Sequence, residues 1–296
     1  MGKKDLTKKS LEERNDVFAD IVNVLLFNGR RLVREKDLEE ANPVSNYNAH
    51  GKIRDQARDV AKFWKNHEVR IALVGLENQS EEDADMPLRM MGYDGAAYRD
   101  QISKGERKKD KKRYPVISLV LYFGTEHRWR TPKTLRGCFP LDDTLKPYVS
   151  DYKMNLFEIA YLTERQVKMF RSDFRIVADY FVQLRKNRNY VPSEERIRHV
   201  TELLELMQAL TNNDLFERAQ VFLKRKGGNT MRTFLDEAWE KGIEKGMEQG
   251  VIKGENKKGI RVYMNMRKRG MSKKEAKEIA EITPKLVREA EALLNT

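Results

Sequence analysis

The 296-residue sequence predicts an α/β sheet domain followed by a helical extension, on three observations. Two apolar runs, "VRIALVGL" and "VISLVLYFG", have the length and β-branched content of buried strands. Between them, "MPLRMMGYDGAAYRDQISKG" repeats its apolar residues at helical spacing, and strands interleaved with helices imply an α/β or α+β sheet. Beyond about residue 165 nearly everything reads as helix. The expected organisation is a core over residues 1–165, a helical extension packed on it over 166–230, and a glycine-punctuated arm with a terminal helical hairpin over 231–296.

Taken in order, Leu11 to Phe27 reads as a first helix, because Val17, Ile21, Val24 and Leu25 recur at helical spacing and Gly29 closes it. Asp16 and Asp20 lie four apart and share a face. "EEANPVSNYNAHGK" has the composition of a loop. "RDVAKFW" and "VRIALVGL" read as antiparallel strands around the turn "KNHE", the second central because it is almost wholly apolar. The next helix offers Leu88, Met91, Tyr98 and Ile102 as its inner face, and "SKGERKKDKKR" follows as a loop with seven basic residues against two acidic ones. "VISLVLYFG" reads as a strand and "MNLFEIAYL" as a further one whose length leaves helix as the alternative, and three helical segments follow, "RQVKMFRSDFRIVADYFVQLRK", "PSEERIRHVTELLELMQALT" and "NDLFERAQVFLKRK".

The arm is unusual: Gly242, Gly246, Gly250 and Gly254 recur every four residues beside Trp239, Ile243, Met247 and Val251. Each glycine costs roughly 1 kcal/mol of helix propensity relative to alanine, so a close-packed partner helix is expected. We read the arm as an oligomerisation element, with an intramolecular packing helix or a flexible arm as the alternatives. In the last forty residues, Ser272 and Glu275 have capping-box spacing and Thr283 with Pro284 starts a second helix. This pair looks like a small helix-turn-helix, but "TPKLVRE" has no evident base-reading set, and the reading is a helical hairpin.

A hydrophobic content of 40% supports a buried core and excludes a disordered chain. Lys and Arg outnumber Asp and Glu by 58 to 46, for a formal charge of +12, so a polyanionic partner such as DNA is expected. The amino terminus lacks the apolar segment of a signal peptide and no run has bilayer-spanning length, so the expectation is a cytoplasmic protein without a membrane partner. One cysteine, Cys138, excludes an intrachain disulfide and leaves too few thiols for a structural zinc site. Four scattered histidines argue against a His-based metal cage.

The strand "VRIALVGLENQ" ends with Glu77 and Gln79 on one face and Asn78 on the other. A hairpin connection of about five residues, Asn66 to Arg70, puts Asp59 across from Glu77, and a tighter turn shifts that register by a few residues. Asp59, Glu77 and the Asn78 backbone carbonyl are hard oxygen donors of the kind magnesium takes, and Gln79 can hydrogen-bond a metal-bound water. Strand parity turns Lys62 away from the Asp59 face and Arg70 away from the Glu77 face.

This layout is an acidic first helix, "RDV" opening a strand, "LENQ" ending the next, and a helix carrying "PLRMMGYDGAAYRDQ". It resembles the PD-(D/E)XK nuclease superfamily over residues 12 to 190. Within that superfamily it is most similar to the bacterial recombination-promoting nuclease and transposase-like family, in which glutamine replaces the motif lysine. The resemblance implies a restriction-endonuclease-like core, a central mixed sheet flanked by helices. It also implies magnesium-dependent DNA endonuclease activity, with manganese as a substitute metal. By position, Asp59, Glu77 and Gln79 match the catalytic set, and Asp16 or Asp20 the acid of the first helix. Glutamine offers hydrogen bonds where lysine would carry charge, so modest or conditional activity is expected. Arg89 and the basic run Lys104, Lys108, Lys109, Lys111 and Lys112 are the expected DNA contacts. The alternative is a catalytically weak DNA-binding or assembly protein that keeps the fold.

Overall fold

The computed structural model describes residues 10–41, 44–49, 52–57, 60–75, 82–108, 113–187, 190–211, 213, 215–216, 219, 230–233, 235–236 and 256–294. The chain divides into two compact units, Met1–Leu235 and Asp236–Thr296.

The first unit is built on a five-stranded mixed sheet in the order β1 (Leu38–Glu40), β4 (Val60–Trp64), β5 (Val69–Gly75), β6 (Val116–Tyr122) and β7 (Asn155–Glu158). The pairs β1–β4 and β4–β5 are antiparallel, whereas β5–β6 and β6–β7 are parallel. The apolar run of β5 thus occupies the middle of the sheet, as its composition predicts. A separate antiparallel hairpin pairs β2 (Val44–Ala49), in the segment read as a loop, with β3 (Lys52–Ala57), which follows it. A hairpin that pairs only with itself adds nothing to the main sheet, which is why its polar sequence carries no core-strand pattern.

The β4–β5 register corrects the five-residue connection. Trp64 pairs with Val69 and Val60 with Leu73, so the turn is Lys65–Glu68 and the register moves by three positions. Glu68 takes the left-handed conformation (φ 49°) that closes it, and the His67 ring stacks on Trp64 with centroids 3.8 Å apart.

Helix α1 (Asn15–Leu25) buries Val17, Phe18, Ile21, Val22 and Val24, and Gly29 (φ +81°) lets its amide reach back to the Asn23 carbonyl at 2.9 Å. Helix α2 (Met86–Lys108) covers one face of the sheet, but not with the stripe expected. Its inner residues are Met86, Met90, Tyr93 and Ala97, whereas Met91, Tyr98 and Ile102 are 42%, 42% and 46% exposed. Met86, Met90 and Tyr93 pack with Val120, Tyr122, Trp129 and Met154.

The choice between stripes follows from the polar residues that travel with the apolar ones. Asp94, on the buried face, accepts from Ser118 Oγ at 2.6 Å and Tyr152 Oη at 2.7 Å. Gln101 pairs with both backbone groups of Tyr114, each at 3.0 Å. α2 also extends further than expected, so Lys104 and Lys108 are helical positions and not loop.

The helical extension is α3 (Glu164–Val167), α4 (Phe174–Asn187) and α5 (Val200–Thr211). The first segment, read as one helix, breaks over residues 168–173, where Asp20 accepts the Arg171 and Ser172 amides, each at 2.7 Å. Asp173 in turn caps the next segment by accepting the Arg198 and His199 amides. α4 seats on the chain just after β7, where Arg185 Nε donates to the Ala160 carbonyl at 2.7 Å, and its Phe181 meets Phe123 just after the end of β6.

The second unit contains a helix over residues 256–268 (α6), then α7 (Lys273–Ala280) and α8 (Pro284–Leu294). Tyr263, Ala276, Ile282 and Ala290 form its core. The capping box of Ser272 and Glu275 is present, as its spacing predicts. Gly259 sits where any Cβ would collide with Ile282. The glycine-ridge residues Gly242, Gly246, Gly250 and Gly254 lie outside the described residues.

Candidate functional site

The topology brings several strand ends together at one end of the sheet. Val60 pairs with Leu73, so the chain enters β4 and leaves β5 at the same end. The parallel strands β6 and β7 also finish there, at Tyr122 and Glu158. In open sheets with parallel strands this carboxyl end is where ligands bind. Asp59, Glu77, Asn78 and Gln79 lie outside the described residues, flanking β4 and β5 in the chain.

The surroundings of this end are held by carboxylates that sequence reading did not single out. Glu82 accepts the Arg130 and Thr131 amides at 2.7 and 2.6 Å, which ties the segment before α2 to the loop after β6. Burial pushes its carboxyl up, but those two N–H donors and the nearby His127 outweigh it and hold the group below the usual carboxylate range. His127 Nδ1 lies 3.0 Å from Glu82 Oε1 and 3.2 Å from the Arg128 carbonyl oxygen. Glu158, the last residue of β7, accepts from Arg128 Nη1 and from the Trp129 amide, both at 2.8 Å. The available signal was position: Glu82 follows the motif closely and Glu158 ends a parallel strand.

Beneath α2, Arg70 is 4% exposed, and burial lowers its pKa against the pull of Tyr114, Asp100 and Asp94. Lys62, wholly buried, pairs with Ile71 across the β4–β5 ladder and reaches Glu40 on β1 at 2.6 Å. That pair satisfies a charge that burial would otherwise make very costly.

The first-helix acids are brought to a groove of about 490 Å³ that also presents Arg31, Arg34, Arg171 and Arg198. Both carboxylates have donors. Asp16 accepts from His199 Nε2 at 3.1 Å, and Asp20 holds the Arg171 and Ser172 amides. Arg14 pairs with Glu202, so three residues of the α1 segment fasten it to the helical extension.

Arg89 is bound to Asp83 at 2.5 Å and to Tyr93 Oη at 3.2 Å. Of the basic run, Lys104 and Lys108 lie on α2, and Lys109, Lys111 and Lys112 lie outside the described residues. Among the described residues, no group of three or more His, Cys, Asp or Glu is arranged to hold a metal ion. No helix among them is long and apolar enough to cross a membrane.

Residues 30–215 match the family model described as "Putative transposase, YhgA-like". The chain belongs to this family. The match takes in every strand of the sheet and helices α2 to α5, and it leaves α1 and the second unit outside. The family description ties the chain to transposition, a rearrangement of DNA. No curated protein and no solved structure matches the chain.

Proposed function

We propose that this member of the transposase family is a magnesium-dependent DNA endonuclease that hydrolyses phosphodiester bonds. The observation that carries the reading is the topology of the sheet, since the three-position shift of the β4–β5 register removes the direct pairing of Asp59 with Glu77 that a five-residue turn would give. The strand that follows Asp59 begins, and the strand that precedes Glu77 ends, at the carboxyl end of the parallel strands. Two carboxylates with the Asn78 carbonyl make an oxygen donor set whose chemistry fits magnesium. Asp59, Glu77 and that carbonyl would hold the ion, which when bound supplies charge for the phosphate oxygens and acidifies water.

Gln79 has no charge to give, and its carboxamide orients the attacking water by accepting one hydrogen bond and donating another. Asp16 or Asp20 joins the metal shell while its carboxylate also holds its present donors, His199 in one case and the Arg171 and Ser172 amides, both on Oδ2, in the other. The glycine-ridge arm is proposed to pair two copies, which supplies two sites for two strands.

The test is supercoiled plasmid with magnesium, comparing the wild type, Glu77→Ala and an EDTA control. Nicking or linearisation by the wild type alone supports the reading. Equal cleavage by the variant puts the site elsewhere. DNA binding without cleavage by either protein marks a DNA-binding or assembly protein that keeps the fold.

A further inference from the structure

The second unit lies outside the family match and does not enter the cleavage chemistry, yet its geometry differs from a plain hairpin. α7 has eight residues, residues 281–283 form the turn, and α8 has eleven. Glu281, the first turn residue, is left-handed at φ 49° and ψ 39°. Ile282, inside the turn, is only 7% exposed and belongs to the same core as Ala276 of α7, Ala290 of α8 and Tyr263 of α6. A hairpin of two helices would keep its turn in solvent; here a third helix packs beneath the turn, and the small residues Ala276, Ala290 and Gly259 allow close approach.

α8 is locked to the other two helices through one carboxylate. Glu291 accepts from Tyr263 Oη at 2.6 Å and Arg267 Nε at 2.9 Å, and Lys273 Nζ lies 3.2 Å away. The outer side of α8 exposes Lys285, Arg288 and Ala292, spaced three and four apart, together with Glu289 and Leu293. On α7, Lys274 and Lys277 are exposed as well. From residue 256 to 294 the sequence has eleven lysines and arginines against five glutamates.

We propose that α6 to α8 form a helix-turn-helix module that binds duplex DNA, with α8 in the major groove and α7 against the backbone. Charge complementarity selects the occupant, since a unit in which eleven basic residues outnumber five glutamates fits a polyanion. Lys285 and Arg288 reach guanine edges and Ala292 meets a thymine methyl, while Lys274 and Lys277 take phosphates. The module gives the chain a DNA attachment separate from its cleavage site.

The test uses the full chain with a labelled duplex, followed by fluorescence anisotropy over a range of salt. Lys285→Ala with Arg288→Ala should weaken binding at least tenfold with circular dichroism unchanged. Lys274→Ala with Lys277→Ala should flatten the dependence of log K on log salt by about 0.9 for each phosphate no longer neutralised. Added duplex should also slow amide exchange across Pro284–Leu294. Wild-type affinity in the Lys285/Arg288 variant, or no binding of duplex by the wild type, overturns the module. The cleavage reading stands or falls separately on Glu77→Ala, so the two failures are distinguishable.

Discussion

Asp94 shows how a single buried carboxylate decides the seating of a helix. It is 7% exposed and satisfies two hydroxyls from different elements, Ser118 on β6 and Tyr152 before β7. Asp94→Ala leaves both donors without their acceptor and should cost roughly 2–4 kcal/mol, read as a lower urea midpoint at constant m-value. Asp94→Asn, which keeps an acceptor, should lose less. For individual residues the sequence singles out only groups with a local pattern. Glu77 and Gln79 stood out because they end an apolar strand, whereas Glu82, His127 and Glu158 carry no local signature and meet only when three segments converge.

Among the elements, α2 had two candidate inner stripes, and the sheet chose between them. Met90→Ala should cost about 2–5 kcal/mol as a core truncation, whereas Met91→Ala, at an exposed position, should stay within about 0.5 kcal/mol in the same denaturation experiment. The C-terminal unit makes a pH-dependent prediction. Hydrogen bonds from Tyr263 Oη, then those from Arg267 and Lys273, outweigh burial and lower the Glu291 carboxyl to about 2. Its unfolded value lies near 4.5. The unfolded chain therefore takes up the proton first as pH falls, so the stabilisation is complete above about pH 4.5 and disappears as pH drops toward 2. In wild type the thermal midpoint of this unit should fall across that window. In Glu291→Gln it should be lower at neutral pH and nearly flat across the same range.

For the chain taken together, a formal charge of +12 predicts that DNA affinity is largely a salt effect. Raising salt from about 50 to 200 mM should weaken duplex binding about 10³–10⁵-fold for a footprint of six to ten phosphates, measured by anisotropy. The α/β class, the central position of β5, the helical character of the chain past residue 165 and the capping box that starts α7 were all legible in the sequence. These are local consequences of apolar period, β-branched runs and caps, each contained within one segment. Three further features needed the assembled fold: the three-residue shift of the β4–β5 register, the inner face of α2, and the docking of α1 through Arg14, Asp16 and Asp20 onto the helical extension. The same holds for the conversion of two terminal helices into a three-helix unit around Tyr263 and Ile282. Those outcomes depend on which of several adequate surfaces finds a complementary partner far along the chain, and a residue's own neighbours in sequence do not contain that choice.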